Sequence, residues 1–366
     1  MSNLLLFGDD KQPAVRNEVG LALPDPVGVI QTDGARYVLA GLLDVPRLQA
    51  LGTYEVISFE ELGLGEVLAA GKSLPEAFRE VVGRGCERLG LSEAVVPGDF
   101  PLELADSLRQ RGIVLRADGA LFDLRRRSKA PGQLEGIRRA LKAAELATAL
   151  VRDRLREGGD QSAEGLRAKA RRIFVDNGCA PHDMLVIAAA GHGADPHDEG
   201  SGPIPDGVPV VVDIFPRDMA SGCWGDITRT FCRGEPPAEL VEWHAVVREA
   251  QRQAMATVRP GISAGDPYHV SCDVIEAAGY ATRRTRSEEE LLREGGYVHY
   301  LGHGVGLDLH EAPTLDDGGE TLVPGDVITI EPGLYRPGFG GCRIEDIVLV
   351  TDDGYELITN FPYELS

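Results

Sequence analysis

The chain has 366 residues, of which 43% are hydrophobic, and it carries a formal net charge of −21 at pH 7. This length allows two domains with a sizeable core. The acidity argues against nucleic acid or an anionic membrane surface as the main partner, because both repel negative charge. The first ten residues lack a basic start and a long apolar stretch, so we expect neither a signal peptide nor a membrane span.

The first third of the chain alternates short strand patterns with helical ones. A hairpin is predicted over 27–40, around a Thr-Asp-Gly turn, with further strands over 54–59 and 113–115 and a helix over 102–110. Histidines, cysteines and acids do not cluster there at ligand-like spacing. We therefore expect residues 1–128 to form a small α/β domain that serves as a scaffold or in dimerisation.

A basic run, Arg125-Arg126-Arg127-Ser128-Lys129, follows this region. Such a run can bind an anion, but we interpret it as a solvated linker before a helix. Apolar residues then recur at alternating steps of four and three, which predicts a helix over 133–157 that ends at Gly158-Gly159. Further helices are predicted over 166–175, 237–257 and 267–278.

An apolar hairpin with acids at its edges follows the helix predicted over 166–175. Its strands are predicted over 208–214 and 227–231. Asp213 lies near the end of the first strand, and Asp226 lies at the start of the second. A carboxylate that borders an apolar strand is costly unless a cation or hydrogen bonds satisfy it. The pair therefore suggests a ligand.

The C-terminal part of the chain repeats this arrangement. Gly325 precedes Glu331 by six residues, as Gly207 precedes Asp213, and a Pro- and Gly-rich turn leads to a second acid, Glu345. Two predicted helices precede each hairpin. We thus expect two similar halves, each contributing one acidic hairpin to a site on a pseudo-twofold axis.

Histidines complete the set of possible ligands. His299, His303 and His310 lie between the hairpins, and His197 lies sixteen residues before Asp213. Four carboxylates with histidine suit divalent manganese, iron, cobalt or zinc, and not a soft thiolate site. One ion rarely needs so many acids, whereas two ions that share bridging carboxylates do. The sequence therefore predicts a dinuclear metal centre.

The six cysteines form no CxxC pair. In a chain of this size they are typical of scattered, reduced core thiols, which favours the cytoplasm. Cys223 and Cys342 lie in or beside the acidic hairpins, but the ligand set is complete without them. We interpret them as packing residues.

Four segments carry a family resemblance: DIFPRDMASGCWGDITRTF, HYLGHGVGLDLHE, ITIEPGLY and CRIEDIVLV. In this order they resemble the motifs of the pita-bread metallopeptidases. The spacing H-x3-H-x6-H and the sequence EPGLY are similar to the proline-specific branch, which contains prolidase and aminopeptidase P. The resemblance implies an α/β chain with a creatinase-like domain over 1–128 and a pita-bread catalytic domain over 129–366.

Carried over position by position, the resemblance implies five metal ligands: Asp213, Asp226, His303, Glu331 and Glu345. Asp226 and Glu345 would bridge two divalent ions. Asp213 would complete the coordination of one ion, and His303 with Glu331 would complete the coordination of the other. Manganese is favoured, and cobalt, iron and zinc also tolerate this set. Taken singly, Asp213 or Glu345 could instead form a buried salt bridge with Arg229 or Arg343.

The same resemblance assigns residues that act on the substrate. His310 matches a histidine that donates to the substrate carbonyl, and Glu331 matches the carboxylate that carries a proton to the leaving nitrogen. His197 matches a histidine near the substrate, although Asp198 follows it where relatives have an aromatic residue. His299 could contact the substrate directly or support the site as a core residue.

Two departures from the family pattern concern specificity. The connection 214–225 in the first hairpin is long, and we interpret it as a surface insertion rather than a loop reaching across the site. The segment 311–330 contains no arginine, where several proline dipeptidases place one that binds a carboxylate. Arg336 or Arg343 could substitute, although Arg343 fits better as a partner of the acids. The choice between dipeptidase and aminopeptidase stays open.

Together, these features imply a metallo-exopeptidase that hydrolyses Xaa-Pro bonds in dipeptides or at the N terminus of short proline-containing peptides. Water activated by the ions would attack the carbonyl, so no serine or cysteine nucleophile is needed. A creatinase-like hydrolase is disfavoured because a metal-free site has no use for the acids. A catalytically silent binding module is disfavoured by the intact ligands and histidines. The resemblance also implies a homodimer.

Overall fold

The computed structural model describes residues 3–366. The described chain divides into two compact units, one ending at Arg126 and the other comprising Arg127–Ser366. Within residues 3–366, no helix combines the length and the apolar composition that crossing a bilayer requires.

The first unit is a mixed sheet with helices on both faces. Its described strands are β1 (Leu4–Gly8), β2 (Val27–Thr32), β3 (Ala35–Ala40), β4 (Glu55–Ser58), β5 (Glu93–Val96) and β6 (Val114–Ala117). Its described helices are α1 (Pro13–Val19), α2 (Val45–Ala50), α3 (Leu64–Ala69), α4 (Leu74–Arg88), α5 (Leu102–Gln110) and α6 (Gly119–Arg127), the last of which ends one residue into the second unit. The strand order is β4-β3-β2-β1-β5-β6.

Alternation along the strands divides the apolar residues of this unit between two cores. Leu5 and Ile30 pack in a cluster with residues of α4 and α5, whereas Leu4 and Val29 pack in another with residues of α1 and α6. A sheet with both faces covered needs apolar side chains on both, which explains its continuous apolar runs. The predicted hairpin over 27–40 and the predicted α/β class are confirmed.

The second unit contains two similar halves and a C-terminal strand. The described strands of its first half are β7 (Cys179–Ala180), β8 (Val186–Ala189), β9 (Pro209–Ile214), β10 (Arg217–Asp218) and β11 (Ile227–Cys232). Those that follow are β12 (Gly302–Gly304), β13 (Glu311–Leu315), β14 (Val327–Ile330), β15 (Gly333–Arg336), β16 (Gly340–Arg343), β17 (Asp346–Val350) and β18 (Tyr355–Leu357). The described helices are α7 (Pro131–Glu157), α8 (Ala163–Asp176), α9 (Ala238–Thr257), α10 (Gly265–Ala277) and α11 (Glu288–Glu294).

Each half builds its core from a pair of helices packed on an antiparallel sheet. In the first half α7 and α8 contribute to one apolar cluster with β8, β9 and β11, whose sheet order is β11-β9-β8. In the second half α9 and α10 contribute to another with β13, β14 and β17, in a sheet of order β13-β12-β14-β17-β18. The four helices predicted for this region are confirmed. So is the repeat of two helices followed by an acidic hairpin.

Glycine closes both acidic hairpins in the same way. Gly207 and Gly325 have positive φ angles of 70° and 93°, which favour glycine at these positions. The amide of Gly207 donates to the carbonyl of Arg233 at 2.7 Å, and that of Gly325 donates to the carbonyl of Val350 at 2.9 Å. Each glycine thus links the start of the first strand of its hairpin to the end of the strand that follows the second acid.

The connection 214–225 of the first hairpin differs from the surface insertion that we expected. Its strand β10 pairs with β7, and Asp218 accepts two hydrogen bonds from Arg139 of α7, at 3.0 and 2.9 Å. Met219 at its tip is exposed, but Cys223 is buried. The segment therefore packs against the protein, because its polar groups find partners on α7, on β7 and at Gly306, whose carbonyl accepts from the amide of Trp224 at 2.9 Å.

The basic run at residues 125–129 is not a solvated linker, contrary to the sequence-based interpretation. Arg127 donates to both carboxylate oxygens of Asp326, at 2.8 and 2.6 Å, and the Asp326 side chain is fully buried. Lys129 pairs with Glu311, and only 3% and 2% of these two side chains are exposed. The expectation fails because the partners lie almost 200 residues away in sequence, where a local charge pattern gives no information.

Candidate metal centre and active site

The five predicted metal ligands lie at or near strand ends of the second unit. Asp213 is the penultimate residue of β9, and Asp226 directly precedes β11. His303 is the central residue of β12, Glu331 follows β14, and Glu345 precedes β17. Four of the five are buried, and the side chain of Glu331 is only 13% exposed. The hairpins thus supply the acids and the intervening strand supplies the histidine.

The structure brings these side chains together. One ligand atom from each of Asp226, His303 and Glu345 lies within 4.8 Å of the others. Nε2 of His303 is 3.3 Å from Oε1 of Glu331 and 3.9 Å from Oδ2 of Asp226. Asp213 is close enough for its charge to raise the pKa of Asp226, Glu331 and Glu345.

The backbone around His303 fixes the direction of its imidazole. Nδ1 lies 3.0 Å from the carbonyl of Gly304, which can only accept, so Nδ1 carries the proton and Nε2 is left to face the acids. The amide of His303 donates to Oγ1 of Thr329 at 3.0 Å. A Cβ on Gly302 or on Gly304 would overlap the carbonyl of Thr329 or of Ala312, respectively. The two glycines therefore permit the close strand approach that holds this histidine.

The carboxylates form a cluster in which negative charge is costly. Burial raises the pKa of Glu331 to about 7, and burial together with repulsion from the neighbouring acids raises the pKa of Asp226 and Glu345 well above the usual range. Burial also lowers the pKa of His303 to about 3, so its imidazole is neutral. Oδ1 of Asp213 and Oδ1 of Asp226 are buried without a hydrogen-bond partner among residues 3–366. Unpaired buried oxygens beside a neutral imidazole fit divalent cations.

A chain of hydrogen bonds extends from Asp213 behind the acid cluster. Arg343 donates to Oδ2 of Asp213, to Oγ1 of Thr228 at 3.2 Å and to the hydroxyl of Tyr335 at 3.3 Å. That hydroxyl lies 2.9 Å from Nε2 of His299. The structure thus links a predicted metal ligand to a predicted substrate histidine through an arginine and a tyrosine.

Residues from both predicted groups line one cavity of about 410 Å³. Glu331 and His303 form part of its wall, and His197, His299 and His310 face the same space. The ring of His310 packs edge-on against that of His303, with 4.2 Å between centroids. Burial lowers the pKa of His310, so its imidazole is neutral at neutral pH. Acids, imidazoles and open volume therefore converge in a single site.

Comparison with known proteins assigns the family. The sequence profile of metallopeptidase family M24 matches residues 135–352. The chain belongs to metallopeptidase family M24. The probable dipeptidase PepE of Mycobacterium tuberculosis is 33% identical to this M24 chain over 272 residues, which cover 74% of the chain and 68% of that relative. The Xaa-Pro dipeptidase of Pyrococcus furiosus is 31% identical over 276 residues, which cover 74% of each protein.

The solved structure of the prolidase from Pyrococcus horikoshii OT3 matches the M24 chain with a TM-score of 0.80. The match covers 100% of this chain and 96% of the other at 24% identity, so it shows the fold. The predictions of a pita-bread fold and of a metallopeptidase are confirmed. Membership of this family implies divalent metal ions.

The arginines considered at the sequence level have defined partners in the M24 chain. Arg336 pairs with Glu239, and one of its hydrogen bonds measures 2.9 Å. Arg229 donates to Asp346 at 2.7 Å. Asp213 does form the buried salt bridge with Arg343 that was considered for it as an isolated acid.

Sequence reasoning did not single out every residue that shapes the cavity. Tyr300, Arg283 and Glu288 line it, and Tyr335 supports it from behind. Tyr335 belongs to the EPGLY motif, so the motif could have drawn attention to it. Arg283 lies in a polar segment without periodicity, and only the tertiary structure places it beside the site.

Asp198, which departs from the family pattern, has its own role in the loop that carries His197. Its Oδ2 lies 2.8 Å from Nδ1 of His192, and its Oδ1 accepts from the amide of Gly200 at 2.8 Å. Nε2 of His192 lies 3.2 Å from the hydroxyl of Ser201. Asp198 thus ties the two ends of the loop together.

Proposed function

We propose that this M24 chain is a metal-dependent exopeptidase that hydrolyses Xaa-Pro bonds, in dipeptides or at the N terminus of short peptides. The observation that carries the proposal is the buried cluster of Asp226, His303 and Glu345, with ligand atoms within 4.8 Å of one another. A relative that is 31% identical is named an Xaa-Pro dipeptidase, which supports the substrate class.

We assign two divalent ions to five ligands: Asp213, Asp226, His303, Glu331 and Glu345. In this assignment Asp226 and Glu345, whose pKa values are raised well above the usual range by burial and by the neighbouring acids, would be the bridging pair. Manganese is the ion that we favour, because an oxygen-rich set with one imidazole suits it, and cobalt, iron and zinc fit the same donors. Such ions supply Lewis-acid activation of water and of the scissile carbonyl.

Glu331 is the residue to which we assign proton transfer. Its carboxyl group faces the cavity, and Oε1 accepts a hydrogen bond from Oγ1 of Thr329 at 3.1 Å, which restricts its rotation. A raised pKa suits a group that takes a proton from water and later returns it. The nitrogen that leaves from an Xaa-Pro bond becomes a secondary amine, so it has to receive that proton.

His310 and His197 are the donors that we assign to the substrate carbonyl. Both line the same cavity as Glu331. A neutral imidazole carries one N–H group, and a donor aimed at the carbonyl oxygen stabilises the negative charge that develops there. His310 has the better-defined position, because its ring packs against His303.

The proposal is tested by the hydrolysis of Ala-Pro and Ala-Pro-Ala by protein that is first stripped of metal and then reloaded with manganese, cobalt or zinc. We expect cleavage of at least one substrate, and a loss of about 10²- to 10⁴-fold in kcat for Glu331→Gln. The exposed Glu294 provides the matched control, Glu294→Gln. Failure of every metal-loaded form to cleave either peptide would remove the proposal in favour of a binding module or another hydrolase.

We also propose a cytoplasmic homodimer in which residues 1–128 act as a scaffold or dimerisation domain. The six free and buried thiols support a reducing compartment: Cys86, Cys179, Cys223, Cys232, Cys272 and Cys342. Sedimentation of the intact chain over a range of concentrations tests the dimer, and a mass that stays at that of one chain would contradict it.

A further inference from the structure

We propose that Arg283 binds the C-terminal carboxylate of the substrate, so that this M24 chain acts on dipeptides. The inference rests on the proposed function and defines its substrate class. Among residues 3–366, the arginines that line the catalytic cavity are Arg283 and Arg343. The two differ in how strongly the protein itself engages them.

Arg343 is not available to a substrate. It is buried, and it donates to Asp213, Thr228 and Tyr335. A buried arginine that releases a carboxylate leaves an uncompensated charge behind, which is strongly unfavourable. Arg343 therefore remains paired with Asp213.

Arg283 is free to bind an anion. Its side chain is 42% exposed, and its guanidinium lies 3.6 Å from the carboxylate of Glu288, which is longer than a direct hydrogen bond. Glu288 is itself largely exposed, so this pair contributes little. A substrate carboxylate in the cavity can form two parallel hydrogen bonds with the planar guanidinium.

Arg283 also lies at the limit of the catalytic cavity. Arg283 and Tyr300 line that cavity and a neighbouring one of about 450 Å³, so they form the partition between the two. The neighbouring cavity is also lined by Asp316 and Asp317, whose charges repel a carboxylate. Arg284 lines it too, but Arg284 already pairs with Asp273 and Glu276. A peptide extended beyond the residue after the scissile bond would have to pass this partition.

The charges of the cavity match a dipeptide. Glu331 and His303, which belong to the predicted metal site, line the same cavity as Arg283, so the scissile bond and a carboxylate-binding guanidinium share one space. In an Xaa-Pro dipeptide the carboxylate follows the scissile bond by one residue. A volume of about 410 Å³ accommodates a ligand of this size.

The experiment compares Ala-Pro, its C-terminal amide Ala-Pro-NH2 and Ala-Pro-Ala on the manganese-loaded full chain. We expect the wild type to favour the acid over the amide by about 10- to 100-fold in kcat/KM, the usual effect of a charged hydrogen bond. Arg283→Gln should lose this preference mainly through KM, because the carboxylate is bound equally in the ground and transition states. Arg283→Lys should retain part of it.

Arg286→Gln is the matched control. Arg286 lies on the same segment, pairs with Glu294 and lines neither cavity, so its loss should leave the preference unchanged. An Arg283→Gln variant that keeps the preference for the acid, or a wild type that cleaves amide and tripeptide as well as the acid, would overturn this inference and leave the Xaa-Pro peptidase intact. Absence of cleavage of all three peptides would instead contradict the proposed function.

Discussion

The hydroxyl of Tyr335 lies 2.9 Å from Nε2 of His299, and it also accepts a hydrogen bond from Arg343. Nδ1 of His299 lies 2.7 Å from the carbonyl of Tyr300, so this nitrogen carries the proton and Nε2 accepts from Tyr335. Both ring nitrogens of His299 are thus engaged by the protein. His299 forms a wall of the cavity rather than a free donor to a substrate.

Tyr335→Phe removes the link between Arg343 and His299. We expect a loss of about 1–3 kcal/mol in the free energy of unfolding, because Nε2 of a largely buried imidazole loses its partner. Denaturant unfolding of the metal-free protein measures this change. Tyr297→Phe is the control, since the buried hydroxyl of Tyr297 has no hydrogen-bond partner among the described residues. Equal destabilisation by both changes would contradict the role of Tyr335.

Arg343→Met should weaken metal binding. Arg343 holds Oδ2 of Asp213, and residues that orient a metal ligand typically contribute about 10- to 100-fold to affinity. Arg343→Lys should be nearly as damaging, because one ammonium group cannot reproduce the three contacts of the guanidinium. Titration calorimetry with manganese measures the effect. Unchanged affinity in both variants would show that Asp213 needs no partner.

The acid cluster should make the metal-free protein less stable as the pH rises from about 6.5 to about 8. Glu331, Asp226 and Glu345 have folded pKa values above their unfolded ones, so the folded state binds more protons and loses stability as they ionise. His299 and His303 have pKa values lowered to about 3, so their contribution falls with decreasing pH, and only below about 6.5. The two effects oppose each other below 6.5 and separate above it.

Thermal unfolding of stripped and reloaded protein across this pH range measures the slope. We expect Tm of the stripped protein to fall with pH, and Tm of the manganese-loaded protein to fall less or to rise, because the ions neutralise the carboxylates. Glu331→Gln should flatten the slope of the stripped protein. A stripped protein whose Tm rises over this interval would show that these carboxylates are already ionised without metal.

Asp198→Ala should lower activity through His197. Asp198 ties His192 and Gly200 at the two ends of the loop that carries His197 into the cavity. If Asp198 only positions His197, the double variant Asp198→Ala/His197→Ala should be no less active than His197→Ala alone. Values of kcat/KM for an Xaa-Pro dipeptide complete this cycle. Additive losses would show that the two residues act independently.

Much of the second unit was predictable from the sequence because its signals are local or repeated. The helical spacing over 133–157 and the glycine-to-acid interval of six residues each depend on neighbours along the chain. The direction of His303 and the availability of Arg283 were not predictable, since they depend on strands and cavities formed by distant segments. The prediction of a solvated linker at Arg127 was wrong for the same reason, because its partner Asp326 is distant in sequence.

Arg127 and Asp326 therefore give the last prediction. Asp326 is fully buried, and Arg127 donates to both of its oxygens. Arg127→Met leaves that carboxylate without its charged partner and, within the described chain, with only the amide of Val323 as a donor, so we expect a loss of about 3–5 kcal/mol in the free energy of unfolding. Arg138→Met removes a half-exposed ion pair with Glu356, and it should cost less than about 1 kcal/mol. Denaturant unfolding compares the two, and equal costs would show that Arg127 behaves as the solvated residue that its sequence context suggests.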